Sequence, residues 1–269
     1  MATRRNVELQ DGTTAHYRDA SYYDHAYRSR RQDVAFYVEQ ARRARGEVLE
    51  LGVGTGRVAA AIARIGVPIT GVDTMDEMLE RARERVQRLP VAARANVTLR
   101  SGDLRRIRLR RRFALVIAPF NVFMHLYERR DIERALATAH AHLKRDGRLV
   151  FDVLNPDPRM LARDPSRPYR CRPIKRPDDG KRYGYQEAFE YDPVTQIQTI
   201  HMLFEDLQAP GHVEHVPLSH RQFFPAELEA LLHYNGFRVE QQLGDFDGAP
   251  LRGDSESQVI VARPVARRG

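Results

Sequence analysis

Strand-like apolar segments alternate with helix-like amphipathic segments in the first part of the chain. The strand-like segments lie at 48–52, 68–73, 97–101, 113–120 and 148–156. Most of them are separated by stretches in which apolar residues recur at the three- and four-residue spacing of a helix. Alternation of this kind is typical of a parallel sheet that is covered by helices on both faces. We therefore predict an α/β fold.

The pattern changes after residue 155. Residues 156–182 contain six prolines and predict an irregular segment. Three strand-like segments follow at 183–191, 195–207 and 212–223 without a helix between them, so we expect them to pair antiparallel. We interpret this part as an inserted cap. A helix that begins near Pro225 and two closing strands then complete the chain.

These changes divide the chain into three predicted segments. Residues 1–46 form an N-terminal lid or helical segment, residues 47–156 and 223–269 form the α/β core, and residues 157–222 form the cap. No apolar run approaches the roughly 20 residues of a membrane span, and the N-terminus shows no secretory signal pattern. The single cysteine, Cys171, fits a reducing cytoplasm.

Three alternate glycines, Gly52, Gly54 and Gly56, follow the first strand of the core, and Glu50 precedes them. In an open parallel sheet, ligands bind beyond the carboxyl ends of the strands. A dinucleotide fingerprint would require glycine at position 57, where Arg57 stands. A carboxylate at this turn repels a pyrophosphate and attracts a cationic group. The turn therefore favours a positively charged ligand over a dinucleotide.

Two further acids follow the next strands. Asp73 closes the second strand, close to the position at which a carboxylate accepts the hydroxyls of a ribose. Asp103 ends the third strand and can accept from an adenine amino group. Three neighbouring strand ends thus offer acceptors to a nucleoside that has a positively charged tail.

The chain resembles the class I S-adenosylmethionine-dependent methyltransferases. The stretches ELGVGTG, GVDTMDEML, GDL and HLKRDGRLVFDVLNP match successive motifs of that family, and SYYDHAY is similar to its tyrosine-bearing lid helix. The resemblance implies a Rossmann-like, seven-stranded, mostly parallel sheet and S-adenosylmethionine as cofactor, with S-adenosylhomocysteine as product. The implied cofactor-binding residues are Tyr23, Glu50, Gly52, Gly54, Gly56, Asp73, Thr74, Met78, Gly102, Asp103, Leu104 and Phe120.

Candidate catalytic and substrate residues come from segments that the fold brings to the strand ends. We expect catalytic roles for Tyr23, Asn121 and His125, with His125 as the preferred proton acceptor; capping of a helix is the alternative for this histidine. Packing within the lid is the alternative for Tyr23 and Tyr27, and core packing is the alternative for Met78. The expected substrate contacts are Tyr27, Asn121, Asn155, His201, Arg221 and Phe223.

We expect no metal at this site. Asp152 and Asn155 face opposite sides of a strand, and Asp152 is interpreted either as a catalytic acid or as a buried, hydrogen-bonded one. The histidine pairs 140/142 and 212/215 do not have the spacing of zinc ligands.

The expected function is methyl transfer to a nitrogen or oxygen nucleophile of a small metabolite. The net charge of +8 and the arginine-rich segment 100–112 leave an RNA or protein methyltransferase as the alternative, in which the edge at 105–112 would bind the substrate. A cofactor-binding protein without activity is a third interpretation. Aromatic residues of the cap can either enclose a small acceptor or form a homodimer interface.

Overall fold

The computed structural model describes residues 4–265, and these divide into two units. The larger unit comprises Arg30–Asn155 and the chain from Phe223 onward, and the smaller one comprises the chain up to Ser29 together with Pro156–Gln222. Residues 1–3 of the predicted lid segment and residues 266–269 of the predicted core lie outside the described part of the chain. Within residues 4–265, none of the helices combines the length and the apolar character that a bilayer span needs.

The larger unit is built on a seven-stranded sheet. Its strands are β1 (Val48–Leu51), β2 (Ile69–Asp73), β3 (Val97–Ser101), β4 (Phe113–Ala118), β5 (Leu143–Leu154), β11 (Phe237–Leu243) and β12 (Ser257–Pro264). The spatial order is β11-β12-β5-β4-β1-β2-β3. The first five strands pair in parallel, and β12 pairs antiparallel with β5 and β11. The mostly parallel sheet predicted from the sequence is confirmed.

The helices of this unit cover both faces of the sheet. They are α3 (Gln32–Ala44), α4 (Arg57–Arg64), α5 (Asp76–Gln87), α6 (Val91–Arg94), α7 (Arg129–His142) and α9 (Pro225–Tyr234). Strand β1 is buried along its whole length: Val48 packs in the core that contains α3 and α4, whereas Leu49 and Leu51 pack in the core that contains α7 and α9. Burial on both faces explains why the strand is a continuous apolar run apart from Glu50.

Strand β5 begins earlier than the sequence predicts. The helical pattern extends through Leu143, but the strand already starts there, and its register with β4 shifts between Phe113 and Leu115. A Cβ atom on Gly147 would lie 3.0 Å from the Ala114 carbonyl oxygen. The residues between Leu143 and Gly147 therefore form an irregular, closely packed start of β5. The spacing of apolar residues in the sequence does not indicate such an irregular start.

The smaller unit contains an antiparallel sheet and two N-terminal helices. Its elements are α1 (Arg4–Arg18), α2 (Ala20–Ala26), α8 (Pro158–Leu161), β6 (Tyr169–Arg170), β7 (Ile174–Lys175), β8 (Arg182–Asp192), β9 (Ile197–Asp206) and β10 (Val213–Arg221). The order is β10-β9-β8-β6, and β7 also pairs with β8. The three predicted antiparallel strands are confirmed. The short strands β6 and β7 have no counterpart in the sequence-based prediction, whereas α1 lies within the predicted N-terminal lid or helical segment.

Helix α1 packs closely against strand β10. Gly12 is buried, and a Cβ atom at this position would lie 2.1 Å from the Ser219 hydroxyl oxygen and 3.1 Å from the Ser219 backbone nitrogen. Tyr17 and Tyr22 pack against an apolar cluster on the sheet that includes Phe204. The N-terminal helices and the cap strands of this unit therefore share one core.

We expect Gly12→Ala to lower the free energy of unfolding by about 1 to 3 kcal/mol, because the added methyl group overpacks the contact with Ser219. Intrinsic helix propensity alone would favour alanine by about 1 kcal/mol. Chemical denaturation of both proteins measures the difference. Gly253→Ala is the control, since a Cβ atom there meets nothing within 4 Å. Equal or higher stability of Gly12→Ala would contradict the close packing.

Candidate functional site

The turn between β1 and α4 is shaped by its three glycines. Gly52, Gly54 and Gly56 have φ angles of 72°, 52° and 74°, all in the left-handed region that favours glycine. The backbone N–H groups of Gly52 and Val53 donate to the Val72 carbonyl at 2.8 and 3.0 Å. The turn is thereby fixed to the end of β2, the neighbouring strand.

The three glycines have different surroundings. A Cβ atom on Gly52 would lie 2.5 Å from Val122, and one on Gly56 would lie 3.2 Å from Ala82, so packing within the unit explains both. A Cβ atom on Gly54 would meet nothing within 4 Å. Gly54 therefore presents bare backbone to open space, where a ligand can approach it.

Glu50 is buried on β1 and has an unpartnered oxygen. The residue is 2% exposed, and its Oε2 atom has no hydrogen-bond partner among the described residues. Burial raises the pKa of this carboxyl well above its usual range; Arg57 and the Ala59 backbone N–H oppose the rise, and Asp73 adds to it. A buried acceptor without a partner is costly. A ligand ammonium group would satisfy Glu50 and favour its ionised form.

Asp73 joins the end of β2 to the glycine turn. Its two carboxylate oxygens accept from the Gly54 N–H at 2.8 Å and from the Met75 N–H at 3.0 Å. Burial raises the pKa of Asp73, against the effect of the backbone N–H groups that it accepts from. The sequence predicted Asp73 as a ribose acceptor and did not reveal this structural bond. Thr74, which follows it, is exposed.

Asp103 lies after β3 in an ion pair. The Arg105 guanidinium contacts both carboxylate oxygens at 2.8 to 3.0 Å and also bonds Asp131 of α7 at 2.9 Å. Partial burial acts to raise the pKa of Asp103, but Arg105 and Arg106 hold it below its usual range. Asp103 is therefore an ionised acceptor in a fixed orientation. The neighbouring Gly102 N–H donates to the Asp73 carbonyl at 2.9 Å.

Two consecutive left-handed residues follow β4. Phe120 and Asn121 have φ angles of 65° and 64°, which are uncommon outside glycine. Their N–H groups donate to Asp152 at 2.8 and 3.2 Å, and Tyr37 donates its hydroxyl to the same carboxylate at 2.5 Å. The structure thus places Asp152 as a buried, hydrogen-bonded acid that fixes this turn. Tyr37 and Asp152 are 115 residues apart in the chain, so sequence patterns did not connect them.

The turn continues into a 3-10 helix, Val122–His125, which carries the preferred proton acceptor. Val122 packs against Gly52, so this helix lies beside the glycine turn. His125 is half-buried, and Asn121 is 9% exposed. The structure therefore brings Asn121 and His125 to the same edge of the sheet as Glu50 and Asp73.

Arg57 begins α4 next to the glycine turn. It forms a nearly buried ion pair with Asp33 at 2.5 Å, and its guanidinium lies 5.6 Å from the centre of the Phe120 ring. A second guanidinium, that of Arg30, lies 5.0 Å from the same ring. Arg57 thus packs against Phe120, a predicted cofactor-binding residue. A glycine at position 57, as a dinucleotide fingerprint requires, would lack this interaction.

Four other predicted residues of this unit pack or bond within it. Met78 is 2% exposed on α5, Phe223 is 1% exposed in the core, and Leu104 packs against that core. The Asn155 side chain donates to the Ser255 carbonyl at 3.0 Å. Their predicted contacts with cofactor or substrate stay predictions.

The remaining predicted residues belong to the smaller unit. Tyr23 lies on α2 and Tyr27 caps its C-terminal end, with ring centres 4.8 Å apart. His201 lies on β9 and shares a 2.8 Å hydrogen bond with His215, and Arg221 ends β10. Their roles at the site also stay predictions. Within residues 4–265, no group of three or more histidine, cysteine or acidic side chains is arranged to hold a metal ion.

The sequence model of a family described as "Methyltransferase domain" matches residues 48–147. The chain is 28% identical over 126 residues to a dTDP-3-amino-3,4,6-trideoxy-alpha-D-glucopyranose N,N-dimethyltransferase of Streptomyces venezuelae, a match that covers 47% of this chain and 50% of the relative. The chain spans about half the length of the curated relatives it matches.

Solved structures resemble the chain over most of its length. The CcbJ methyltransferase of Streptomyces caelestis is 27% identical, with 87% of this chain and 94% of that chain covered and a TM-score of 0.75. CalS10 of Micromonospora echinaspora, an amino pentose methyltransferase solved with bound S-adenosylmethionine, is 20% identical, with 90% and 96% covered and a TM-score of 0.69. The predicted fold class is therefore confirmed, and residues 48–147 match the sequence model of a methyltransferase domain.

We expect Asp152→Asn to change how stability depends on pH. Burial raises the pKa of Asp152 to about 6, above its value of about 3.9 in an unfolded chain. Because the folded protein favours the protonated form, this contribution to stability is complete below about pH 4 and is lost as the pH rises through about 6. The wild type should lose about 2 to 3 kcal/mol relative to the variant between pH 4 and pH 7.

Urea denaturation of both proteins across this pH range measures the difference. Other buried acids, such as Glu50 and Asp73, are present in both proteins and cancel in the comparison. A difference in stability that does not change with pH would show that the folded protein leaves the pKa of Asp152 near its ordinary value.

Proposed function

We propose that this chain, built on a class I methyltransferase domain and fold, transfers the methyl group of S-adenosylmethionine to an amine of a small metabolite. The observation that carries the proposal is that Glu50 and Gly54 lie close together in the chain and each has a feature that a ligand could use. A buried carboxylate oxygen without a partner lies on β1, and a glycine that faces open space lies in the turn that directly follows this strand. A sulfonium nucleoside with an ammonium group matches this combination, whereas a pyrophosphate would meet a buried carboxylate.

The ends of β1, β2 and β3 would each hold one part of the cofactor. Glu50 would bind the ammonium group, and the backbone at Gly54 would lie against the methionyl portion. Asp73 would accept from the ribose hydroxyls through lone pairs that the Gly54 and Met75 N–H groups do not use. Asp103 and Leu104 would contact the adenine, with Arg105 fixing the orientation of the Asp103 carboxylate.

Bound S-adenosylmethionine supplies an activated methyl group on a sulfonium. The reaction forms a bond between the nucleophile and the methyl carbon and breaks the carbon–sulfur bond, which leaves a neutral thioether. The task of the protein is to align the two groups, exclude water and accept the proton of the nucleophile. His125 is the proposed proton acceptor, and the Asn121 amide is a proposed substrate contact. Both lie on the turn that Asp152 fixes.

A nitrogen acceptor is supported by the relatives. The Streptomyces venezuelae relative is named for dimethylation of an amino sugar, and CalS10 is named for an amino pentose. A glycopeptide N-methyltransferase, MtfA, also shares the fold at 21% identity. We therefore place an amine of a sugar or a similar metabolite first among the acceptors. A hydroxyl acceptor is the alternative.

The arginine-rich edge has existing partners within the unit, which disfavours the RNA alternative. Arg105 bonds Asp103 and Asp131, Arg111 pairs with Glu47, and Arg112 donates to the Leu143 carbonyl. A phosphate backbone would have to compete with these bonds. Binding of RNA with a steep salt dependence would favour the alternative, because each neutralised phosphate adds to the slope. Homodimer formation and cytoplasmic location stay predictions.

We expect Asp73→Asn to weaken binding of S-adenosylhomocysteine at least tenfold, because the variant loses the charged acceptor for the ribose hydroxyls. Calorimetry measures the affinity. Since Asp73 also fixes the glycine turn, the experiment includes 2′-deoxy S-adenosylhomocysteine. If Asp73 binds the 2′-hydroxyl, wild type and variant should differ much less for this analogue. An equal loss for both ligands would assign Asp73 a structural role alone. Asp76→Asn, an exposed neighbour, is the control.

We expect His125→Ala to lower the rate of methylation at least tenfold while the affinity for S-adenosylmethionine changes less than threefold, as loss of a proton acceptor affects the reaction more than binding. His233→Ala, at an exposed histidine of α9, is the control and should change neither quantity. Equal losses of rate and affinity would make His125 a structural residue.

The proposal as a whole is tested with purified protein, labelled S-adenosylmethionine and a panel of amino sugars, simple amines and the matching hydroxy compounds. We expect label in at least one amine and none in the hydroxy compound of the same shape. Binding of the cofactor with label only in RNA or protein would contradict the proposed acceptor.

A further inference from the structure

Tyr37 of α3 is a fully buried residue of the larger unit that no predicted role includes. It is 0% exposed, and its ring centre lies 5.5 and 6.3 Å from the ring centres of Phe36 and Phe246. Its hydroxyl donates to the Asp152 carboxylate at 2.5 Å. A phenylalanine would make the same ring contacts, so packing does not explain the hydroxyl. The role of the hydroxyl should therefore lie in what it does to Asp152.

The tyrosine is the donor in this bond. Burial raises the pKa of the Tyr37 hydroxyl well above its usual range, and the carboxyl groups of Asp152, Asp33 and Glu50 add to the rise. Asp33, also on α3, is itself paired with Arg57. Burial raises the pKa of Asp152 as well, but only to about 6. At pH 7 the hydroxyl therefore keeps its proton, and the Asp152 carboxyl is mostly ionised and accepts.

Asp152 holds a backbone conformation that needs support. Its Oδ1 atom accepts from the Tyr37 hydroxyl and from the Phe120 N–H, and its Oδ2 atom accepts from the Asn121 N–H. Phe120 and Asn121 both lie in the left-handed region, which is unfavourable for a side chain as bulky as phenylalanine. Such a conformation persists only where the surrounding structure holds it. The Asp152 carboxylate supplies a hydrogen bond to each of the two residues.

This turn is joined to the 3-10 helix that carries His125. Asn121 caps the start of the helix, and its carbonyl accepts from the Met124 N–H at 2.9 Å. A shift of the Asn121 backbone would therefore move the start of the helix and, with it, His125, the proposed proton acceptor. The state of the Asp152 carboxyl is thus linked to the proposed catalytic residue through consecutive hydrogen bonds.

The Tyr37 hydroxyl favours the ionised form of Asp152. Burial acts to raise the pKa of Asp152, and the hydrogen bond from Tyr37 is the largest of the effects that oppose this rise. The Phe120 and Asn121 N–H groups also oppose it, whereas the Asp33 charge adds to it. A protonated carboxyl carries a donor on one oxygen and has less capacity to accept. Loss of the Tyr37 hydroxyl should therefore weaken the bonds to the turn at a pH where the wild type is still ionised.

We propose that Tyr37 is a positioning residue for methyl transfer: its hydroxyl keeps the Asp152 carboxylate ionised and thereby holds the turn that precedes His125. The inference rests on the proposed function. Because Tyr37 is fully buried, it acts through Asp152 and does not contact the substrate. Its removal should cause a loss of activity that depends on pH and is recovered when Asp152 ionises again.

The first experiment uses the whole chain without substrate. In ¹³C NMR of protein labelled at the aspartate carboxyl carbons, the signal that is missing in Asp152→Asn identifies Asp152. We expect its titration midpoint to rise by at least about one pH unit in Tyr37→Phe, because hydrogen bonds to charged acceptors are strong. The Asn121 backbone amide signal should shift with the same midpoint. An equal midpoint in both proteins, or an Asn121 amide that does not follow Asp152, would overturn the proposal.

The second experiment compares methylation rates at two pH values with a dTDP-linked 3-amino sugar as the probe. A rise of one pH unit lowers the ionised fraction of Asp152 about fivefold at pH 6 and hardly at pH 8.5. We therefore expect kcat of Tyr37→Phe to be at least about fivefold below wild type at pH 6 and within about twofold of it at pH 8.5.

Two controls accompany these rates. Tyr234→Phe, at an 85% exposed tyrosine of α9, removes a hydroxyl of the same kind and should match the wild type at both pH values. Asp152→Asn removes the group that titrates. Adding Tyr37→Phe to Asp152→Asn should leave the ratio of the rates at the two pH values unchanged, because Tyr37 acts only through Asp152.

The outcomes separate this inference from the proposed function. Wild-type rates for Tyr37→Phe at both pH values would overturn the role of Tyr37 and leave the function intact. A loss of equal size at both pH values would also overturn it, because a merely structural loss does not recover when Asp152 ionises. If the wild type binds S-adenosylmethionine but methylates no amine, the proposed function fails, and the NMR titration still decides whether Tyr37 keeps Asp152 ionised and holds the turn.

Discussion

The candidate cofactor site depends on hydrogen bonds that tie the turn after β1 to the end of β2. The N–H groups of Gly52 and Val53 donate to the Val72 carbonyl, and the Gly54 N–H donates to the Asp73 carboxylate. Parallel neighbours end at the same edge of a sheet, so these bonds hold the glycine backbone open beside the acids. Substituting a side chain at Gly52 would force it against Val122. The backbone geometry of the glycine turn therefore sets the positions of the predicted binding residues.

Burial changes the acidity of the carboxyl groups near the carboxyl ends of the parallel strands. Glu50 and Asp152 are buried and Asp73 is half-buried, and burial raises the pKa of each carboxyl. The Asp152 carboxylate accepts hydrogen bonds from the Phe120 and Asn121 N–H groups and from the Tyr37 hydroxyl. One oxygen of Glu50, by contrast, has no hydrogen-bond partner among the described residues. Asp152 therefore maintains the structure of the turn after β4, whereas Glu50 has an oxygen that is available to the proposed ligand. We therefore expect this site to favour a positively charged ligand over a pyrophosphate.

Much of the fold could be predicted from the sequence, because β1, β2 and β4 are short apolar runs between clear helical patterns, and the three cap strands lack helices between them. Hydrophobic periodicity reports burial. It does not report which partners a polar side chain finds, so the bond of Asp73 to Gly54, the pairing of Asp103 with Arg105 and the bond of Tyr37 to Asp152 were not predicted. The early start of β5 was missed because its first residues are held by close packing at Gly147.

The central claim is that the turn from Glu50 to Gly56 accepts a cationic thioether nucleoside and rejects a dinucleotide. Titration calorimetry of the full-length protein with S-adenosylmethionine, S-adenosylhomocysteine, NAD and FAD tests it most directly. We predict binding of the first two ligands at one per chain and no measurable heat from the other two. Binding of NAD or FAD without binding of either adenosyl compound would contradict the account.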